Sequence, residues 1–126
     1  MEYETWKSAL IDEIETVASW QAERGIADPN DPRFEKSQQA LRGLADAVRN
    51  MPGDHPALKA LYREEQEIAN LMRAPAGEPE HRYFDAKEEA LQAYGFEQQP
   101  FASADQFLDL LRAKADETIS EYRLRV

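Results

Sequence analysis

The sequence predicts an all-α protein, folded as a compact bundle of about five helices in a single domain that spans residues 1–126. Apolar residues recur at the spacing that places them on one side of a helix, and no segment alternates strictly enough to indicate a strand. Short segments rich in proline and glycine separate these periodic stretches. A chain of this length buries roughly two thirds of its unfolded surface, which is enough for one core.

Apolar stripes between turn residues predict the first two helices. The first runs from about residue 3 to residue 24, and Gly25 is expected to end it because glycine favours the position after a helix. The second runs from about residue 32 to residue 50, with Asp31 as its cap and Pro32 in its first turn. Their stripes contain Trp6, Leu10, Ile14 and Val17, then Phe34, Leu41, Leu44, Val48 and Met51.

The third and fourth helices are predicted in the same way. After the break "MPGDHP", Asp54 or His55 is expected to cap a helix from about residue 56 to residue 73. After "APAGEPE", a further helix runs from about residue 79 to residue 94, where Gly95 ends it. The apolar stripe of the third helix contains Leu58, Leu61, Ile68 and Met72.

A capping motif marks the start of the fifth helix. The segment Ser103-Ala104-Asp105-Gln106 matches a capping box, in which the first residue accepts a hydrogen bond from the backbone of the fourth, so this helix is predicted to begin at Ala104. Its buried side is expected to contain Phe107, Leu111, Ala115, Ile119 and Tyr122. No internal repeat and no second domain is indicated.

Glu65 stands where the stripe of the third helix requires an apolar residue. A buried carboxylate must be paired, hydrogen-bonded or protonated, because its charge is costly away from water. Ser37, at the matching gap in the second helix, is one candidate partner, and an arginine such as Arg42 is another. The favoured interpretation is an internal polar contact, and a ligand-binding role for Glu65 is the alternative.

The motif Glu78-x-x-His81 has the spacing of metal ligands in helical bundles. Pro79 instead suits the first turn of a helix, so Glu78 is expected at the helix cap and His81 in that first turn. No second such motif accompanies it, and no serine lies in a nucleophile elbow. The sequence therefore predicts no metal, no cofactor and no enzyme, while a metal carrier or enzyme using Glu65, Glu78 and His81 is the competing hypothesis.

Composition restricts the classes of partner. The net charge of −10 opposes binding to nucleic acid and to anionic membranes, and it favours a basic protein partner. The chain has no cysteine, which excludes disulfides and thiolate chemistry. An acidic start and the lack of a long apolar run indicate neither signal peptide nor membrane span, so a cytoplasmic protein is expected.

Acidic and aromatic side chains concentrate between residues 60 and 97. Tyr83 and Phe84 are adjacent and project about 100° apart on a helix, so the two rings are not expected to be equally buried. An aromatic anchor surrounded by carboxylates is typical of a surface that binds a basic partner. The predicted partner-binding residues are Glu64, Glu67, Tyr83, Phe84, Asp85, Glu88 and Glu89. The alternative is that both rings belong to the core.

The segments "PRFEKSQQALRGLADAVRN", "DHPALKALYREEQEIANLM" and "EPEHRYFDAKEEALQAYGF" resemble small helical immunity proteins, which neutralise NAD-consuming toxins delivered by type VI secretion. The resemblance covers roughly residues 32 to 96. It rests on Phe34, Ser37, Leu41, Leu58, Leu61, Ile68, Ala69, Glu78, Pro79, Glu80, Leu91, Tyr94 and Gly95. It implies a non-enzymatic inhibitor that binds a cognate toxin domain in the producer's cytosol and blocks its active site.

Two other functions remain open at this point. An acidic DNA mimic requires a regular row of carboxylates, and Arg63, Arg73, Arg82 and Lys87 interrupt such a row. A homo-oligomeric scaffold would use its helix stripes as interfaces. The chain is accordingly expected to be a monomer or a homodimer.

Overall fold

The computed structural model describes residues 2–72, 79–96 and 103–125, which form five α-helices and no strand. The predicted all-α bundle is confirmed. The helices are α1 (Tyr3–Ala27), α2 (Arg33–Asn50), α3 (Pro56–Met72), α4 (Pro79–Ala93) and α5 (Ala104–Arg125).

Two groups of helices meet across one core. α1 packs along α2, α5 packs against both α3 and α4, and fewer contacts join the two groups. Every helix supplies side chains that are fully buried, because each has an apolar stripe facing the others. These include Leu10 and Ile14, Leu41 and Leu44, Leu58 and Leu61, Tyr83 and Leu91, and Phe107, Leu108 and Leu111.

The predicted end of the first helix at Gly25 is wrong. α1 continues through Gly25 to Ala27, and the backbone N–H of Asp28 still bonds to the carbonyl of Arg24 at 2.9 Å. The helix stops at Asp28 because Pro29 disfavours a helical conformation in the residue before it. Gly25 instead faces the start of α2, where an added Cβ would lie 3.5 Å from Cβ of Phe34.

The other helix boundaries agree closely with the prediction. α2 begins at Arg33, one residue beyond the predicted Pro32, which occupies the position before the helix, and Asp31 accepts a 3.0 Å hydrogen bond from the Arg33 backbone. The Ser103 hydroxyl accepts a 3.3 Å bond from the Gln106 backbone, as expected of a capping box. His55 occupies the position before α3, although its carbonyl rather than its side chain accepts the bond from Lys59.

Gly95 ends the turn that follows α4 and adopts a positive φ of 91°. This conformation strains any residue with a side chain. The space is also closed, because a Cβ at this position would lie 2.6 Å from Cα of Ser37 in α2. The end of α4 therefore rests directly on the backbone of α2.

The described helices include none that is both long enough and apolar enough to cross a bilayer.

Candidate functional site

The centre of the bundle contains a buried cluster of polar side chains around Glu65. Trp6 donates its indole N–H to one carboxylate oxygen of Glu65 at 3.0 Å, and the Tyr83 hydroxyl donates to the other. Lys87 donates to both oxygens, at 3.3 and 3.0 Å. Its Nζ atom also lies 3.2 Å from a carboxylate oxygen of Glu13, whose side chain is partly exposed. We call Trp6, Glu13, Glu65, Tyr83 and Lys87 the polar cluster.

The polar cluster joins three helices. Glu65 comes from α3, Tyr83 and Lys87 from α4, and Trp6 and Glu13 from α1. Tyr83 and Lys87 are four residues apart and therefore lie on the same side of α4. Burial of Glu65 is tolerated because donors on its neighbours replace the lost water.

The pKa values of both titratable groups that α4 brings into the polar cluster are raised, for different reasons. Burial alone lowers the pKa of the Lys87 ammonium, but the carboxylates of Glu65 and Glu13 outweigh it and hold that pKa above its ordinary value. Burial raises the pKa of the Tyr83 hydroxyl strongly, and the charge and hydrogen bond of Glu65 raise it further. At neutral pH the cluster therefore holds a charged lysine and a protonated tyrosine.

The expectation that Glu65 is buried and internally paired is correct, but both predicted partners are wrong. Arg42 is exposed, and Ser37 donates instead to the backbone carbonyl of Tyr94 at 2.5 Å. A usable signal was present in the fourth helix, where Lys87 interrupts an apolar stripe with the same spacing: Tyr83, Leu91 and Tyr94. Two charged residues in two apolar stripes indicate a pair.

Ser37 belongs to a second buried polar group, at the end of α4. Gln21 donates from Nε2 to the backbone carbonyl of Gln92 at 2.7 Å and to the Ser37 hydroxyl at 3.4 Å. Ser37 and Gln21 thus bind the carbonyls of Tyr94 and Gln92, which the end of a helix leaves without intrahelical donors. Gln21 was not predicted to be a buried polar residue, although it continues the stripe of α1 four residues after Val17, and it is fully buried.

The predicted partner-binding residues separate into three groups. Tyr83 is 1% exposed and belongs to the core, so it offers no surface to a partner and its assignment is corrected. Phe84 is partly buried, with its ring edge-on to Tyr83 at 5.0 Å between centroids, so the two adjacent rings are unequally buried as expected.

Glu64 and Glu67 lie where α3 packs against α5, and each pairs with an arginine of α5. Arg112 donates to Glu64 at 3.2 Å, and Arg123 forms an ion pair with Glu67. Burial and a hydrogen bond with Asp116 raise the pKa of the Glu64 carboxyl, while Arg112 acts in the opposite direction. These two glutamates therefore contribute first to the α3–α5 contact.

Asp85, Glu88 and Glu89 form the third group and are exposed on α4. Their spacings of three and four residues place them on one side of the helix, opposite the side that carries Tyr83 and Lys87. Within the described residues none forms an ion pair, and Glu88 accepts a 3.4 Å hydrogen bond from Gln92. We call Asp85, Glu88 and Glu89 the α4 acidic face.

The metal motif gives no site in the part of the chain that the structure describes. Glu78 lies outside the described residues, and His81 is placed only as part of the α4 backbone. His55 is not part of the polar cluster, and its Nε2 atom lies 3.6 Å from a carboxylate oxygen of Asp105 at the start of α5. No group of three or more metal-ligating side chains occurs among residues 2–72, 79–96 and 103–125 as far as their side chains are described.

Comparison of the chain with protein-family models, with curated proteins and with solved structures found no match.

Proposed function

We propose that this chain is a non-enzymatic inhibitor that binds a basic protein domain through the α4 acidic face, as an immunity protein does with its toxin. The observation that carries the proposal is the exposure of Asp85, Glu88 and Glu89 together on one side of a helix. Opposite charges across an interface speed association and select the partner.

The anchoring of α4 supports this assignment. Lys87 and Tyr83 fix the inner side of the helix to Glu65, and Gln21 and Ser37 hold the carbonyls at its end. Carboxylates on such a helix lose little freedom when a partner binds, so less of the interaction energy is spent on ordering them. Phe84 stands one turn before Glu88 and supplies partly exposed aromatic surface beside the charges.

The side chains of the polar cluster bond to one another, which favours a binding protein over an enzyme. The Glu65 carboxylate already accepts bonds from Trp6, Tyr83 and Lys87, and the ammonium of Lys87 lies between two carboxylates. A general base or nucleophile needs a partner atom on a substrate within hydrogen-bond reach. Here those positions are occupied by the protein's own side chains. In the proposed function the polar cluster positions α4, and the partner is a toxin domain in the producer's cytosol.

The test compares two charge-reversed variants of equal net charge. The first replaces Asp85, Glu88 and Glu89 by lysine, and the control replaces Glu4, Asp12 and Asp109, which are exposed on α1 and α5. Each tagged protein is incubated with lysate of the native host, and the retained polypeptides are identified by mass spectrometry. We expect one basic polypeptide, retained in equal amount by the unmodified chain and the control and lost with the first variant.

Further measurements separate the outcomes. The recovered polypeptide should arrest growth when produced alone, and co-production of the unmodified chain should restore growth. Retention by all three proteins alike would show that the α4 acidic face is not the binding surface. Recovery of DNA-binding proteins that raised salt releases would instead favour a DNA mimic.

A further inference from the structure

A groove of about 420 Å³ lies between the end of α1 and the start of α2, away from the α4 acidic face. Gln21, Gly25 and Ile26 line it from α1, while Pro29 and Glu35 line it from the connection and from α2. Gly25 contributes no side chain, and an added Cβ there would lie 3.5 Å from Cβ of Phe34, so α1 and α2 approach each other closely beside the groove. Pro29 adds a rigid apolar edge, because its ring fixes the backbone.

Ile26 lines this groove with an apolar side chain that is not packed in the core. It is 81% exposed, whereas the large apolar residues of the core are almost completely buried. Of the exposed large apolar residues in the described part of the chain, Trp20 and Leu124 do not line the groove. An exposed apolar side chain at the rim of a concave surface is a common feature of binding sites.

The charged lining of the groove is of one sign. Asp31 and Glu35 contribute carboxylates, and no lysine or arginine is among the described residues that line the groove. The Arg33 guanidinium is bonded to Asp31 and, with the Arg33 backbone N–H, lowers the pKa of that carboxyl. Glu35 is exposed and has no ion-pair partner among the described side chains. An occupant with a positive charge next to an apolar group matches this lining.

We propose that the groove binds a segment of a partner polypeptide in which an apolar side chain stands beside an arginine or lysine. The apolar side chain packs against Ile26 and Pro29, and the cation pairs with Glu35. A second copy of this chain fits poorly, because each copy carries a net charge of −10 and would bring carboxylates against carboxylates. The proposal does not depend on the α4 acidic face.

The test selects ligands from a random twelve-residue peptide library displayed on phage, using the full chain as bait. The bound peptides are sequenced, and their affinities are measured for the unmodified chain, Ile26→Asp and Glu35→Lys. Leu124→Asp and Asp109→Lys are matched controls, since both sites are exposed and lie on α5. We expect peptides with a basic residue next to an apolar one, bound about tenfold or more weakly by the two groove variants and unchanged by the controls.

Other results would overturn the proposal. These are an absence of enriched peptides, enrichment of peptides without basic residues, or equal loss of binding in the groove variants and the controls. Light scattering across a concentration series addresses the second copy: a dimer that Ile26→Asp converts to a monomer would assign the groove to self-association. Thermal unfolding of each variant checks that the fold is retained, which we expect because the changes are at exposed sites.

Discussion

The ammonium of Lys87 lies 3.0 Å from the carboxylate of Glu65, and both side chains are almost entirely buried. Removing two charges from water costs several kcal/mol for each ion, so such a pair contributes little net stability even when its geometry is good. Its loss, however, leaves one charge without compensation. We therefore infer that the pair acts mainly to require that α3 and α4 pack in one arrangement.

Replacing Glu65 by leucine should be among the most destabilising changes in the chain. It leaves the buried Lys87 with only the partly exposed Glu13, and it removes the acceptor for Trp6 and Tyr83. We expect the free energy of unfolding to fall by about 3–5 kcal/mol, the cost of breaking a buried ion pair. Urea denaturation followed by circular dichroism measures it.

The double variant Glu65→Leu with Lys87→Met separates the ion pair from the hydrogen bonds. The second change removes the stranded ammonium, so the double variant should be more stable than Glu65→Leu alone. It should not reach the unmodified chain, because the indole N–H and the Tyr83 hydroxyl still lack an acceptor, at about 1–3 kcal/mol each. Additive effects of the two changes would mean that the residues are not coupled.

Stability should fall steeply as the pH rises above about 10. The pKa values of Tyr83 and Lys87 are both raised in the folded chain, so each group keeps its proton there after the unfolded chain has lost it. The unfolded state then binds fewer protons, and the free energy of unfolding falls by up to about 1.4 kcal/mol per pH unit for each group. Thermal unfolding between pH 8 and about pH 11 measures this slope, which Tyr83→Phe should reduce. An unchanged slope in that variant would contradict the assignment.

Two glycines offer a matched comparison of alanine substitutions. Gly95→Ala should destabilise by about 2 kcal/mol or more, since its positive φ is costly for alanine and the new Cβ would collide with the Ser37 backbone. Gly43 lies within α2, and among the described residues no atom beyond the adjacent residues and the nearby helix backbone lies within 4 Å of an added Cβ. Gly43→Ala should therefore stabilise the chain by up to about 1 kcal/mol through helix propensity. Melting temperatures that shift in the same direction would refute this reading of Gly95.

Removal of the Ser37 hydroxyl tests the attachment of the end of α4 to α2. Ser37→Ala leaves the Tyr94 carbonyl without its 2.5 Å donor and should lower the free energy of unfolding by about 1–3 kcal/mol. Ser19 bonds only to a carbonyl of its own helix and is exposed, so Ser19→Ala should change stability by less than about 0.5 kcal/mol. Hydrogen exchange should also accelerate at the end of α4 in the first variant and not in the second.

Apolar spacing was sufficient to predict the five helices, because each needs one side buried against the others. The end of α1 was mispredicted, since Gly25 is a common stop but Pro29 imposes the stricter limit on the backbone. The sequence also identified Glu65 as a buried charge. Lys87 was not predicted as the partner. It interrupts the stripe of α4 as Glu65 interrupts that of α3, but short loops leave open which helices face each other.

The partner-binding surface was predicted only in part. Acidic residues in one sequence segment were grouped together, but helix geometry distributes them over different sides of the bundle. Glu67 turns towards Arg123 of α5, while Glu88 faces solvent. Tyr83 was assigned to the surface because it was grouped with Phe84 as an aromatic anchor, although its spacing from Leu91 and Tyr94 places it on the buried stripe of α4.

The polar cluster also has a consequence for how the chain acquires its structure. Glu65 is synthesised after Trp6 but 22 positions before Lys87, so a nascent chain that pairs α1 with α3 early would enclose a carboxylate before its countercharge exists. We expect that cost to keep the partial bundle open until α4 has been made. We therefore expect all-or-none refolding without a populated subset of helices, and fragments that end before residue 79 should remain unfolded on their own.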